Sequence, residues 1–295
     1  MDRREVITET RTLDAIIAAY ALEPTLADIF VEGETDARFL DYAFEQLDIS
    51  ANAIPIDLVH IPPNLLNADQ RRNNRERVLV LARTLESEFP TQLPRVACLI
   101  DSDADKVLRI HHPERLVVST DFTDLAMYCY DRKHLLRSAR MSTRITEARF
   151  NAVLDQCESV ARWLYAVAAS NKKLDWRMPR LTADRYVRVT ATTVSLDRGR
   201  YLRAYLMSGN RLGDQAQFES VLGRLEQKLG RVRDMRHAAR SHDLFYLIAR
   251  YFHRQYQHAT TLGTERGIID LLRLSCSIKK IARTRLLSRL STYAN

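Results

Sequence analysis

Glycine and proline are scarce, with eight of each in 295 residues. Long flexible linkers are not expected from such a chain, and most of it is expected to be helical. Cysteine is scarcer still. Cys98, Cys129, Cys157 and Cys276 form no Cys-x-x-Cys pair, which speaks against a disulfide frame or a zinc site and for a reducing compartment. Cys98 lies inside an apolar run and reads as plain core. No apolar run approaches the roughly 18 residues of a membrane span. The opening Met-Asp-Arg-Arg-Glu lacks the apolar region of a signal peptide. A cytoplasmic protein without membrane contact is the expectation. No Gly-x4-Gly-Lys-Ser/Thr sequence occurs, so the chain is not itself a P-loop ATPase, and no His-Glu-x-x-His occurs either. Internal repeats and low-complexity tracts are also lacking.

What is present is enough for a substantial core, since 46% of the residues are hydrophobic. Charge is divided unevenly. Residues 1–134 hold 15 Lys/Arg against 24 Asp/Glu, a balance of −9, and residues 135–295 hold 30 against 13, a balance of +17. The sign changes near Lys133-His134, which sets the expected boundary between an acidic domain, 1–134, and a basic one, 135–295. A basic domain beside an acidic one suits binding of a polyanion. A solvated helical face would have the same composition.

Two short apolar runs stop abruptly at carboxylates. Ile29-Phe30-Val31 leads into Glu32-Gly33-Glu34-Thr35-Asp36, and Val96-Ala97-Cys98-Leu99-Ile100 leads into Asp101-Ser102-Asp103-Ala104-Asp105. Such runs read as buried strands, and a buried strand carries its charges at its end. Helical spacing predicts helices over about 10–22, 37–47 and 76–88, with Thr35 as an N-cap and Gly33 allowing a tight turn beside Glu32. Further strands fit about 27–31, 54–61, 96–100 and 116–119. The polar stretch 67–75 reads as an exposed loop or helix start, and 101–109 as a polar loop. The alternation gives an α/β fold with a mainly parallel sheet. In such sheets ligands bind at the C-terminal strand ends. If the two strands are neighbours, Glu32, Asp101 and Asp103 converge there, an oxygen cluster suited to Mg²⁺.

Beyond Leu125 the pattern is helical, over about 125–130, 146–169, 218–229, 236–256 and 265–292, with some short strand within 181–194. Asp121 and Asp124 follow the fourth strand directly and fit either helix capping or metal proximity. Basic and aromatic residues alternate through Arg162-Trp163, Lys172-Lys173, Trp176-Arg177, Arg180, Tyr186, Arg188, Arg198 and Arg200-Tyr201. Aromatics stack on bases while Arg and Lys hold phosphates, although aromatics at helical spacing are more often core. Trp163 reads as core and Trp176 as the better surface candidate. His242, in Ser241-His242-Asp243, fits either a nucleic-acid contact or a helix cap formed by Ser241. The basic segment Lys279–Arg285 fits a nucleic-acid or partner surface, or a helix with a solvated face.

A strand ending in Glu32-Gly33 and a later strand ending in Asp101-x-Asp103 resemble the TOPRIM domain of topoisomerases, bacterial primases and OLD-type nucleases. The phrase Val31-Glu32-Gly33-Glu34-Thr35-Asp36 is similar to that of TOPRIM-like effectors of bacterial phage defence, the toxin subunits of PARIS-type systems. The resemblance covers about residues 25–130. A downstream echo lies at Ala239–Leu244, where Ser241 stands in place of the family's Gly. The resemblance implies a TOPRIM-like sheet with flanking helices, followed by a mostly helical basic domain. It implies Glu32 as general acid/base and Asp101 and Asp103 as Mg²⁺ ligands, with Mn²⁺ an alternative ion. Asp36 matches a position that is often acidic and would serve a second metal. Asp105 either supports the metal ligands from behind or caps the following segment, Asp124 matches an acidic position after the fourth strand, and Glu34 reads as a solvated helix start. The implied activity is that of a toxin nuclease cleaving nucleic acid, with tRNA favoured over DNA, after release from a companion ABC-type ATPase. A homodimer is a further expectation, because metal-dependent nucleases of this sort often pair. Lys172, Lys173, Trp176, Arg177 and His242 are the nucleic-acid candidates.

Other readings rank lower. Nothing marks the separate nucleophilic-Tyr domain of a topoisomerase or the zinc module of a primase. A haloacid-dehalogenase phosphatase also begins with apolar residues and Asp-x-Asp, but that reading leaves Glu32-Gly33 unexplained and finds Asp105 where Thr or Val is usual. From another class, a non-catalytic subunit binding nucleic acid or an acidic partner would carry the same basic half.

Overall fold

The computed structural model describes residues 10–67 and 73–294. The opening five residues and positions 68–72 of the polar stretch lie outside the described residues. In chain order the elements are β1 (Arg11–Thr12), α1 (Leu13–Leu22), β2 (Asp28–Val31), α2 (Glu34–Gln46), β3 (Asn52–Pro55), β4 (Val59–His60), α3 (Asn74–Glu88), β5 (Val96–Ile100), α4 (Asp105–Leu108) and β6 (Val117–Ser119). They continue as α5 (Arg132–Ser142), α6 (Glu147–Leu174), β7 (Val187–Val189), β8 (Val194–Leu196), α7 (Arg198–Ser208), α8 (Gln215–Gly230), α9 (Ser241–Gln255), α10 (Glu265–Ser275), α11 (Ile278–Ile281) and α12 (Arg285–Ala294). Short 3₁₀ turns intervene at Ile56–Leu58, Leu125–Cys129 and Met235–His237, among others. The α/β class expected from the sequence is what forms. Among the described residues no helix is long and apolar enough to cross a membrane.

The chain divides into two compact units. The first comprises Met1–Ser102, His111–Asp121 and Ser277–Asn295, and the second Asp103–Ile110 and Phe122–Cys276. The charge change at Lys133-His134 falls inside the second unit, and the last residues return to the first.

The first unit is built on a parallel sheet in the order β3-β2-β5-β6. Phe30 pairs with Ile54 on one side and Cys98 on the other, and Cys98 pairs with Val117. All five residues of β5 are buried, as a parallel strand covered on both faces requires. Cys98 is core, and burial pushes its thiol pKa up. Phe39, Leu40, Ala43 and Phe44 of α2 are buried, the face that the helical spacing predicts. Burying Phe44 fully contributes about 1.5–3 kcal/mol.

Several local expectations are corrected. Helix α2 starts at Glu34 with Gly33, not Thr35, at the N-cap. Gly33 has φ −148° and ψ 156°, an extended conformation open to any residue, and a Cβ there would meet only Asp36 Oδ2 at 4.0 Å. Neither dihedral strain nor crowding requires glycine at this turn. The strand expected over 54–61 is β3, a 3₁₀ turn and β4, and β4 pairs with β1 in a separate two-stranded sheet. The long helix expected over 265–292 is three pieces, because Cys276 turns to an extended conformation and Ser277 starts α11. Within the first unit α12 packs against β5 and β6, burying Leu286, Leu287 and Leu290. Its first turn is capped by Asp121, whose Oδ2 accepts the Leu286 N–H at 2.9 Å.

At the opposite end of β2, Asp28 is 1% exposed. Tyr20 donates its hydroxyl to Asp28 Oδ2 at 2.7 Å, and Asn52 donates Nδ2 to Oδ1 at 3.1 Å. Burial raises the Asp28 pKa and these donors oppose the rise.

In the second unit α6, 28 residues long, carries the packing. Thr146 caps its start, and Asp175, at φ 50°, ends it in the left-handed region. Helices α8 and α9 lie along it, while β7 and β8 form an antiparallel pair. Trp163 is buried against Tyr201, as core.

Replacing Tyr20 with Phe is expected to destabilise the fold by about 1–3 kcal/mol, since a buried acceptor loses its donor. Urea unfolding of the two proteins checks this, and an unchanged midpoint would contradict it.

Candidate functional site

In the first unit the strand order reverses between β2 and β5. The chain moves outward from β2 to β3, then crosses to β5 and continues outward to β6. Ligands in open α/β sheets bind at this reversal, outside the C-terminal strand ends. Glu32 follows β2 and Asp101 follows β5, so the two carboxylates stand at the reversal point. The Asp101 N–H donates to Glu32 Oε1 at 2.9 Å, which ties one strand end to the other. The turn leaving β5 is further held by the Ser102 N–H, which donates to Thr120 Oγ1 at 2.8 Å. Asp36, half-buried in the first turn of α2, sets a carboxylate oxygen over Gly33. Glu34 pairs with Arg38 on the exposed side of the helix, a solvated helix start as expected.

Asn74, Arg75 and His112 also reach this edge, and the sequence reading passed over them. Asn74 Nδ2 donates to the Glu32 carbonyl at 2.7 Å. Arg75 donates to the Asp101 carbonyl, and its Nη2 lies 3.2 Å from His112 Nε2. The signal available was Asn73 followed three residues later by Glu76, an N-cap pattern that starts α3. Asn73 Oδ1 accepts the Glu76 N–H at 3.4 Å.

The remaining carboxylate candidates lie in the second unit. Asp103 has φ 41°, a left-handed conformation that Asp tolerates better than most residues. It is held by Tyr165, which donates to its carbonyl at 2.5 Å, and by its own N–H to the Thr123 carbonyl at 2.8 Å. Asp105 is buried and accepts from Lys172 Nζ at 2.5 Å. Asp124 accepts the Ser241 N–H at 2.8 Å and the Met127 N–H at 3.1 Å. It therefore caps α9 from across the sequence. Ser241 opens that helix without a side-chain cap of its own, which corrects the capping role read for it. Burial pushes the Asp124 carboxyl up to about 6, and the Asp103 charge adds to the rise. Asp243 is ion-paired with Arg180 at 2.7 Å and with Arg240 at 2.8 Å.

Four of the nucleic-acid candidates lie in the last turn of α6 or just past it, and His242 lies in the first turn of α9. Lys172 is engaged by Asp105. Lys173 is exposed, and Arg177 is exposed with a partner in Asp175 at 3.2 Å. Trp176 is half-buried, packed 5.6 Å from Phe218 and covered by Arg211 at 5.1 Å. His242 is exposed and pairs with Glu265. An aromatic chain runs from Tyr186 through Tyr201, Tyr205 and Phe218 to Trp176. Arginines sit over both of its ends, Arg200 on Tyr186 and Arg211 on Trp176.

Among the described residues no group of three or more His, Cys, Asp or Glu is arranged to hold a metal ion. Mg²⁺ does not need such a group, because it takes one or two carboxylates and keeps several waters. The donors at the reversal point are carboxylate oxygens, which fit Mg²⁺ or Mn²⁺ and not a soft metal. The chain matches no protein-family model and no curated protein.

The raised Asp124 pKa carries a sign. The folded protein holds this proton more tightly than the unfolded chain does, so the contribution is full below about pH 4 and is lost as pH rises through 6. Asp124→Asn, which keeps an acceptor for Ser241, is expected to gain stability relative to wild type by up to about 3 kcal/mol between pH 4 and 7. Urea unfolding of both proteins across that range checks it, and a constant difference would contradict it.

Proposed function

We propose that the protein is a metal-dependent phosphodiesterase of the TOPRIM type, a nuclease acting in the cytoplasm as the toxic effector of an anti-phage system. The observation that carries this reading is the pair Glu32 and Asp101 at the reversal point of a parallel sheet, joined by the 2.9 Å hydrogen bond from the Asp101 N–H to the Glu32 carboxylate. Asp101 is the ligand that the first unit offers to Mg²⁺ or Mn²⁺. Asp103, the other ligand that the resemblance assigns, belongs to the second unit. When bound, the ion would draw charge from a non-bridging phosphate oxygen and orient the attacking water. Glu32 would take the proton from the attacking oxygen or return one to the leaving oxygen. The Asp101 N–H holds Glu32 in place for that transfer.

Nucleic acid is the favoured substrate because the second unit is strongly basic, with 29 Lys/Arg against 17 Asp/Glu. The choice of tRNA, and of a companion ABC-type ATPase that restrains the toxin, rests on the resemblance of Val31–Asp36 to PARIS-type effectors.

Expression in cells of wild type and Glu32→Ala, with and without the companion ATPase, tests the proposal. Gels of total RNA and chromosomal DNA are expected to show discrete tRNA fragments that disappear with Glu32→Ala, while the variant keeps its fold. Cut DNA that depends on Glu32 would retain the nuclease and change its substrate. Intact nucleic acid in every condition, phage challenge included, would overturn the reading in favour of a non-catalytic binding subunit.

A further inference from the structure

Two adjacent residues at the start of α3 each reach one of the two strand ends that bear the carboxylates. Asn74 Nδ2 donates to the Glu32 carbonyl at 2.7 Å and to Asp57 Oδ2 at 3.2 Å, and Asn74 Oδ1 accepts from Arg77 Nη1 at 3.2 Å. Asn74 is therefore held on its own helix while it grips the end of β2. Arg75 donates to the Asp101 carbonyl at the end of β5. Guanidinium has no acceptor, so the 3.2 Å contact between Arg75 Nη2 and His112 Nε2 makes the histidine nitrogen the acceptor.

Arg75 is 8% exposed, and this decides between two roles. A guanidinium that takes hold of a substrate phosphate must reach solvent. One that is buried and spent on a carbonyl and an imidazole fixes the backbone instead. The Asp101–Ser102 segment is accordingly held from three directions: its first N–H on Glu32, its carbonyl on Arg75, and the Ser102 N–H on Thr120.

We propose that Asn74 and Arg75 are a positioning pair that clamps the carbonyls of Glu32 and Asp101 and so sets the geometry of the two carboxylates at the reversal point. Both residues act through Glu32 and Asp101 rather than on substrate. The structural half of the proposal stands on this geometry alone, and its effect on rate rests on the nuclease reading. Small displacements of reacting groups are costly in rate, about 10²-fold for 1 Å. A helix that couples its own first turn to both strand ends is a device against such displacement.

The test uses the full chain with Arg75→Ala, Arg75→Lys and Asn74→Ala. Amide hydrogen exchange is followed at Asp101 and Ser102, and nucleic-acid cleavage is followed in parallel. Arg75→Ala is expected to speed exchange at these two amides at least tenfold, with cooperative unfolding retained and protection partly restored by millimolar guanidinium. In cleavage, kcat is expected to fall about 10²-fold with little change in KM, again with partial rescue by guanidinium. Wild-type exchange at Asp101 and Ser102 in Arg75→Ala would overturn the positioning pair whatever the activity. Wild-type kcat in that variant would overturn its role in the reaction. If wild type itself shows no Glu32-dependent cleavage, the nuclease reading falls and the exchange result alone decides the pair. Should Arg75→Ala fail to fold, Arg75→Lys and Asn74→Ala are read by the same two criteria, with smaller expected effects in the same direction.

Discussion

The hydrogen bond from the Asp101 N–H to the Glu32 carboxylate is the constraint on which the candidate site of the first unit depends. It forms because β2 and β5 are parallel neighbours, in register from Asp28 with Val96 to Phe30 with Cys98. Register fixes which residues emerge together at the C-terminal edge. A slip by one residue would turn every side chain of β5 to the other face and take the Asp101 N–H out of line with the Glu32 carboxylate. The burial of every residue of β2 and β5 is what enforces the register. Packing energy in the strands is thus converted into placement of two carboxylates.

The second unit treats its acids differently. Asp105 and Asp243 are buried and matched to cations, Lys172 for the first and Arg180 with Arg240 for the second. Asp124, half-buried, is engaged by backbone N–H groups of two helical turns. A buried carboxylate needs such partners, because desolvation without them is prohibitive. These residues are accounted for by structure before any ligand is considered. Glu32 and Asp101, half-exposed at a strand edge, stand where a ligand would be expected from the sheet topology alone.

Legibility in the sequence followed the range of the interactions. Val96–Ile100 was readable to the residue, because a strand buried on both faces admits no polar side chain. The face of α2 was readable from Phe39, Leu40, Ala43 and Phe44 for the same reason. The strand read over Ile54–Ile61 was not one element, since apolar residues continue through a 3₁₀ turn and into another sheet without a break in pattern. Asp121 and Asp124 cap helices by accepting N–H groups 165 and 117 residues further on, and no local pattern can announce a partner so distant. Asn74 and Arg75 were hidden differently. They belong to a polar stretch that reads as surface, yet Arg75 is buried because the strand ends beside it supply acceptors. Trp176 reads as a free surface aromatic, but Phe218 and Arg211 already occupy it.

The central claim is that the reversal point of the sheet holds a divalent ion through Asp101. Titration of Mn²⁺ into the purified full chain, followed by calorimetry or electron paramagnetic resonance, tests it most directly when wild type is compared with Asp101→Asn. The account predicts a saturable Mn²⁺ site in wild type that Mg²⁺ competes for, weakened at least tenfold by Asp101→Asn with unfolding unchanged. Equal Mn²⁺ affinity in the two proteins, or no saturable binding in either, would contradict it.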